Sequence, residues 1–278
     1  MKRNPLFALG LSVAIVVGLQ AQVSYSDLGS TYTQNFDTQT VLADGATGWV
    51  NNETYLGWSA FYHNASLSTY TLPTTATVTT GAGTGFNLYR STGSLDVALG
   101  GQATNGTEMG PYNEGGIFYG LQIANATGSS LTNFTFGYTG EQWRRAGNMD
   151  THRLLVYYSL NATSLDDAAA TWIAVPEATF VGPQTSNSAT AASLNGNLTA
   201  NRVVVDGATM TGLSVEQGQS VWLRWFDNND ANSDHGFGID DVWFTSSATV
   251  VPEPSAYAVL AGFVGLAAAV LQRRKARA

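Results

Sequence analysis

The stretch "VWLRWFDNNDANSDHGFGIDDVWF", residues 221–244, decides the reading of the fold. Its first six residues are apolar on both alternating faces except at Arg224, the pattern of a strand buried on both sides. Its last six residues carry Ile239, Val242, Trp243 and Phe244, types that favour strands. The segment between them is Asp, Asn, Ser and Gly, which favour turns through side-chain bonds to nearby backbone. Asp227 to Asp234 therefore reads as loop, followed by a strand from Ile239.

The same pattern extends outward. Short runs rich in Val, Ile, Tyr, Phe, Trp and Thr are broken by Gly, Asn and Asp along the whole body. Strands are expected near Tyr32–Phe36, Trp58–Tyr62, Thr69–Leu72, Phe86–Arg90, Asp96–Leu99, Ile117–Ile123, Thr132–Tyr138, Arg153–Leu160, Ile173–Val175, Arg202–Val205, Val221–Phe226 and Ile239–Thr245. Only Asp166 to Trp172, "DDAAATW", suggests one or two helical turns. Thr74–Gly85 and Gln184–Ala200 read as long surface loops. The expected fold is all-β, a two-sheet jelly-roll-type sandwich forming one domain over residues 22–245.

The ends of the chain suggest export. Residues 1–21 have a basic start, an apolar run and a small residue at Ala21, the layout of a signal peptide. A linker at 246–251 precedes Pro252, Glu253 and Pro254. An uncharged run of about 17 residues follows, 255–271, at the lower limit for a membrane span. Arg273, Arg274 and Lys275 then form a basic tail that would stay cytoplasmic. This three-part order over residues 252–278 resembles the PEP-CTERM sorting signal of Gram-negative bacteria. The resemblance implies an exosortase-type processing protease as partner. It also implies transient anchoring in the inner membrane, then release to the cell surface or extracellular matrix.

The body, residues 22–250, has six arginines and no lysine against nineteen acidic residues, a formal charge of −13. So acidic a body excludes nucleic acid or anionic lipid bound through a basic face. With no cysteine in the chain, disulfides, thiol catalysis and Cys-ligated zinc are excluded.

Calcium takes six to eight oxygen ligands, and the 227–241 segment is dense in them. Asp230, Asn232 and Asp234 match the first, third and fifth positions of an EF-hand loop. His235 stands where that loop needs glycine, so an EF-hand is excluded. A different calcium loop, a solvated loop without an ion and a catalytic loop all stay open. The N-terminal "YTQNFD" (32–37), the C-terminal "GIDDVWF" (238–244) and "GYTGEQWRRAG" (137–147) resemble secreted jelly-roll domains of the carbohydrate-binding-module type. The resemblance implies a structural calcium held by Asp37 with Asp240 and Asp241. Asp227, Asp230, Asn232 and Asp234 are secondary candidates. It also implies extracellular polysaccharide as a partner. Trp49 and Trp58, in Gly- and Asn-rich surroundings, are the candidate sugar platforms, while Trp222, Trp225 and Trp243 are expected in the core.

Enzyme signatures are absent from the sequence. The three histidines lack zinc-hydrolase spacing, and no nucleophile elbow, phosphate loop or dinucleotide fingerprint occurs. No catalytic residue is assigned. The expected role is a non-catalytic surface or exopolysaccharide-matrix protein, calcium-stabilised and glycan-binding. A secreted glycan-active hydrolase on the same scaffold is the alternative, as is a purely structural or adhesive surface protein.

Overall fold

The computed structural model describes residues 22–37, 45–64, 69–71, 75–79, 85–103, 115–185, 190–230 and 233–247. Residues 1–21, expected to be a signal peptide, residues 252–278, expected to be a sorting signal, and Asn232 lie outside these residues. Among the described residues no helix is long and apolar enough to cross a membrane.

The strands in chain order are β1 (Val23–Tyr25), β2 (Thr31–Gln34), β3 (Gly45–Gly48), β4 (Trp58–Asn64), β5 (Thr69–Thr71) and β6 (Thr75–Thr79). There follow β7 (Gly85–Arg90), β8 (Val97–Gln102), β9 (Gly116–Asn125), β10 (Leu131–Arg145), β11 (Arg153–Ser159) and β12 (Ile173–Ala174). The last are β13 (Phe180–Val181), β14 (Ala192–Ser193), β15 (Arg202–Val215), β16 (Ser220–Asn228) and β17 (Gly236–Ser247).

They form two sheets, the expected all-β sandwich. The first runs β12-β11-β16-β9-β4-β5, with β1 on β9 and β13 on β11. The second runs β14-β10-β17-β8-β7-β6-β3, with β15 on β10 and β2 on β17. Pairing is antiparallel except for β1 with β9 and β6 with β7.

The main core lies between the sheets. Val221, Leu223 and Trp225 of β16 enter it with Tyr119 and Leu121 of β9, against Phe136 and Tyr138 of β10. Trp225 stacks on Trp58 at 5.7 Å and meets Tyr138 edge-on at 5.6 Å. Residues of alternate parity face the other way, where Trp222, Phe226 and Phe118 form a second cluster with Phe61 and Tyr157. The segment after β11 covers this outer face with Leu165 and Trp172. The two-sided burial expected of "VWLRWF" follows from that cover. Arg224 stays buried because its guanidinium lies 3.7 Å from the Trp172 ring centroid and 4.7 Å from that of Phe118. Gly120 opposite is required by closeness, since a Cβ there would stand 2.5 Å from Leu165 Cδ1 and 2.3 Å from the Leu223 carbonyl oxygen.

Several expectations are corrected. Residues 166–172 form turns, not helix: Asp167 accepts the Thr163 N–H at 2.9 Å and the Ala169 N–H at 3.0 Å, and this capping competes with helical bonds. The expected loop 74–85 contains β6. Asp227 and Asn228 belong to β16, where Asp227 pairs with Ile117 and Leu154, so the loop begins later than expected. The last strand starts at Gly236, and runs to Ser247.

Candidate functional site

Trp49 and Trp58 do not reach solvent. They are 2 % and 0 % exposed, with Trp49 Nε1 donating to Asn51 Oδ1 at 2.7 Å and Trp58 Nε1 to the Tyr32 hydroxyl at 3.2 Å. The residues after Trp49 do turn, but the turn sends the ring inward. Trp222 and Trp225 are core as expected, and Trp243 is half-buried. None of the aromatic side chains whose burial is described is exposed.

The carboxylates behave differently. Asp37 follows β2, Asp96 precedes β8, Glu141 lies on β10, and Asp240 and Asp241 lie on β17. Antiparallel pairing sets Asp240 opposite Thr139 and Val242 opposite Gln34, which draws β2, β10 and β17 together at this point. Two positive φ angles shape the cluster. Phe36 at +57° turns the chain after β2, while its fully buried ring packs edge-on to Tyr55 and Trp58. Asp241 at +47° interrupts β17 where the register with β10 shifts, between Gly137 and Thr139. Bulky residues rarely adopt such angles, so the surrounding structure holds them there.

Asp37, Asp240 and Glu141 are each held by hydrogen bonds. Asp37 Oδ1 accepts the Val97 N–H at 2.9 Å, and Oδ2 accepts from Asn35 Nδ2 at 2.7 Å. Asp240 Oδ1 accepts the Asp241 N–H at 2.6 Å, and Glu141 Oε2 accepts from Trp143 Nε1 at 2.8 Å. Burial, then the charges of Asp241, Glu141 and Asp96, pushes Asp240 up to about 9. Burial pushes Glu141 up to about 7, with Asp96 and Asp241 adding to the rise and Arg202 opposing it. Asp37 is raised by burial, with Asp96 and Asp241 contributing. Among the described residues, these carboxylates do not form a group of three with donor atoms within 4.8 Å of one another, so they act on each other at longer range.

The secondary candidates lie elsewhere. Asp230 and Asp234 face His152, with His152 Nδ1 3.2 Å from Asp230 Oδ2. Asp230 also donates its N–H to Asp234 Oδ1 at 2.7 Å. His235 Nδ1 accepts the Ala146 N–H at 2.7 Å, and its ring lies 4.4 Å from that of His152. Burial, with His152 beside it, pulls His235 down to about 4. The 227–241 stretch therefore divides between two sites. The sequence reading omitted Asp96, Glu141 and His152 from the ligand set. His152 lies 83 residues from His235, too far for local spacing to reveal.

No family model matches the chain, and no curated protein matches it. Among solved structures, it is similar to a xylan-binding domain from Paenibacillus barcinonensis at 11 % identity, covering 81 % of this chain and all of that one with a TM-score of 0.38. It is also similar to the K3 adhesin domain of Lys-gingipain from Porphyromonas gingivalis, at 13 % identity over 54 % of this chain and 75 % of that one, TM-score 0.31. A cellulose-binding domain from Cellulomonas fimi gives 14 % identity, 72 % and 93 % coverage and a TM-score of 0.28.

Proposed function

We propose that this chain is an exported, non-catalytic component of a bacterial cell surface or exopolysaccharide matrix, with a sandwich stabilised by calcium at Asp37, Asp240 and Asp241. What supports the calcium reading is that Asp37, Asp96, Glu141, Asp240 and Asp241, from four separate chain segments, lie within electrostatic reach of one another. Like charges gathered in a partly buried place repel unless protons or a cation offset them. At neutral pH outside a cell, calcium is the natural counter-charge. Export and processing by an exosortase rest on residues 1–21 and on the ordered tail 252–278.

The hydrolase alternative would need two carboxylates within reach of substrate. Glu141 and Asp240 carry raised values but are 1 % and 5 % exposed, which suits a structural pair better than a catalytic one. Trp49 and Trp58, as core residues, offer no stacking surface. A polysaccharide partner would be met by polar groups on the described surface, or through bridging calcium.

Cell fractionation tests the exported, anchored role. The full chain should be found in the envelope or matrix, and a chain lacking residues 252–278 should appear free in the periplasm or medium. Retention of that deletion variant at the inner membrane would contradict the sorting assignment.

A further inference from the structure

His152, Asp230 and Asp234 bring three donor atoms within 4.8 Å of one another. His152 stands just before β11, and the aspartates lie in the connection between β16 and β17. His152 Nδ1 is 3.2 Å from Asp230 Oδ2 and 4.0 Å from Asp234 Oδ1. The backbone N–H of His235 also reaches that Nδ1 at 3.3 Å, a long bond that a metal on the same nitrogen would displace. A cation between Nδ1 and the two carboxylates would take the nitrogen's lone pair in place of the N–H, with the imidazole proton on Nε2. His152 is 3 % exposed and its Nε2 has no partner, so the imidazole itself is shielded from water.

A separate observation points to the same place. Asp227 is 2 % exposed, and its Oδ2 has no hydrogen-bond partner. By strand alternation it shares the inward face of Val221, Leu223 and Trp225, so its carboxyl enters the interior beneath the β16–β17 connection. Its foremost like-charge neighbours are Asp234 and Asp230. A buried carboxylate within electrostatic reach of Asp230 and Asp234 adds negative charge that a cation at this place would offset.

We propose that His152, Asp230 and Asp234 bind one first-row divalent cation of the zinc type, with Asp227 supporting the site from behind. The imidazole decides the class, since nitrogen donors favour zinc and its neighbours while calcium and magnesium take oxygen. Donors about 2.0–2.1 Å from a tetrahedral zinc sit roughly 3.3 Å apart. The 3.2 Å separation meets that as it stands, and the 4.0 Å separation needs a shift of less than about 1 Å. Three protein ligands leave a fourth position for water. The Asp230 side chain, 32 % exposed, marks the side on which water would enter. This site shares no ligand with the proposed calcium cluster, so either can fail without the other.

The test is calorimetric titration of the untagged, chelator-treated full chain with zinc chloride, with calcium chloride in a parallel arm. One zinc per chain is expected, and Asp240→Asn should leave that binding unchanged. His152→Ala should weaken it by about a hundredfold or more, and Asp227→Asn by a smaller factor, through loss of its charge alone. Asp230→Asn is near-isosteric and on the solvent side, so it keeps the fold while matching the His152→Ala loss. Cobalt(II) in the same site should give the strong visible bands of four-coordinate nitrogen and oxygen ligation, and lose them in Asp230→Asn. Zinc failing to bind the wild-type chain, or binding a folded Asp230→Asn chain equally well, would overturn the proposal.

Discussion

Asp37 Oδ1 accepts the backbone N–H of Val97 at 2.9 Å, a bond that ties the end of β2 to the start of β8 across 60 residues. The neighbouring residue, Phe36, is held at positive φ with its ring fully buried. Core packing therefore aims the Asp37 carboxylate, and a strand N–H holds it. Such an arrangement is set before any ion arrives, which lowers the ordering cost of binding.

Removing ligands from the carboxylate cluster should abolish a calcium response. At a free calcium concentration about a hundredfold above its Kd, one bound ion stabilises by about 2.7 kcal/mol. For a domain of this size that corresponds to a rise of roughly 5–10 °C in melting temperature. The double variant Asp240→Ala with Asp241→Ala should show no rise, in melts followed by circular dichroism with calcium and with chelator.

The same cluster sets a pH dependence in chelated protein. Asp240 titrates near 9 in the fold against 3.8 ordinarily, and Glu141 near 7 against 4.5. Between those values the folded chain keeps protons that the unfolded chain has released. Stability therefore falls as pH rises from about 4 towards about 9, and is greatest in mild acid. Denaturant midpoints across that range should show this decline, and calcium should flatten it. Asp240→Asn should lessen the slope, with Glu141 and the buried Asp227 supplying the remainder.

Trp172→Ala should be strongly destabilising. The ring covers the outer face of the first sheet and lies over the Arg224 guanidinium at 3.7 Å. Loss of a buried Trp costs about 3–5 kcal/mol, and Arg224 would lose its aromatic cover. Urea denaturation should give a loss of at least that size, partly recovered when Arg224→Met is added.

Gly120→Ala should destabilise by an amount comparable to overpacking a core, about 1–3 kcal/mol or more. Its added methyl meets a backbone carbonyl at 2.3 Å, which cannot give way as a flexible side chain would. Gly128→Ala is the comparison: nothing lies within 4 Å there, and its strain comes only from φ of +78°. Urea midpoints of the two variants separate crowding from backbone strain.

The sheets were legible because strand signals are local. Alternation in "VWLRWF" and the aromatic, β-branched runs needed no distant partner to be read. Asp37, Asp240 and Asp241 were named from a resemblance, and the fold brings their carboxylates close enough to perturb one another. Exposure was harder to read. Asn51 and Gly57 beside Trp49 and Trp58 signalled a turn correctly, yet ring burial depends on Phe36, just after β2, and Phe86 of β7 packing against them. Asp227 was misread as loop because its propensity is poor, while pairing with Ile117 and Leu154 overrides that propensity. His152 could not be joined to Asp230 and Asp234, because only the return of β11 beside β16 brings them together.

The calcium cluster is the central claim, and its most direct measurement is calcium binding itself. The chelator-treated full chain would be titrated with calcium chloride by calorimetry near neutral pH, beside Asp37→Asn and Asp240→Asn. One site should be filled in the wild-type chain, with release of protons, since Asp240 and Glu141 must ionise to bind. Both variants should lose that site while remaining folded. A wild-type chain that takes up no calcium, or variants that bind it as tightly as the wild type, would contradict the account.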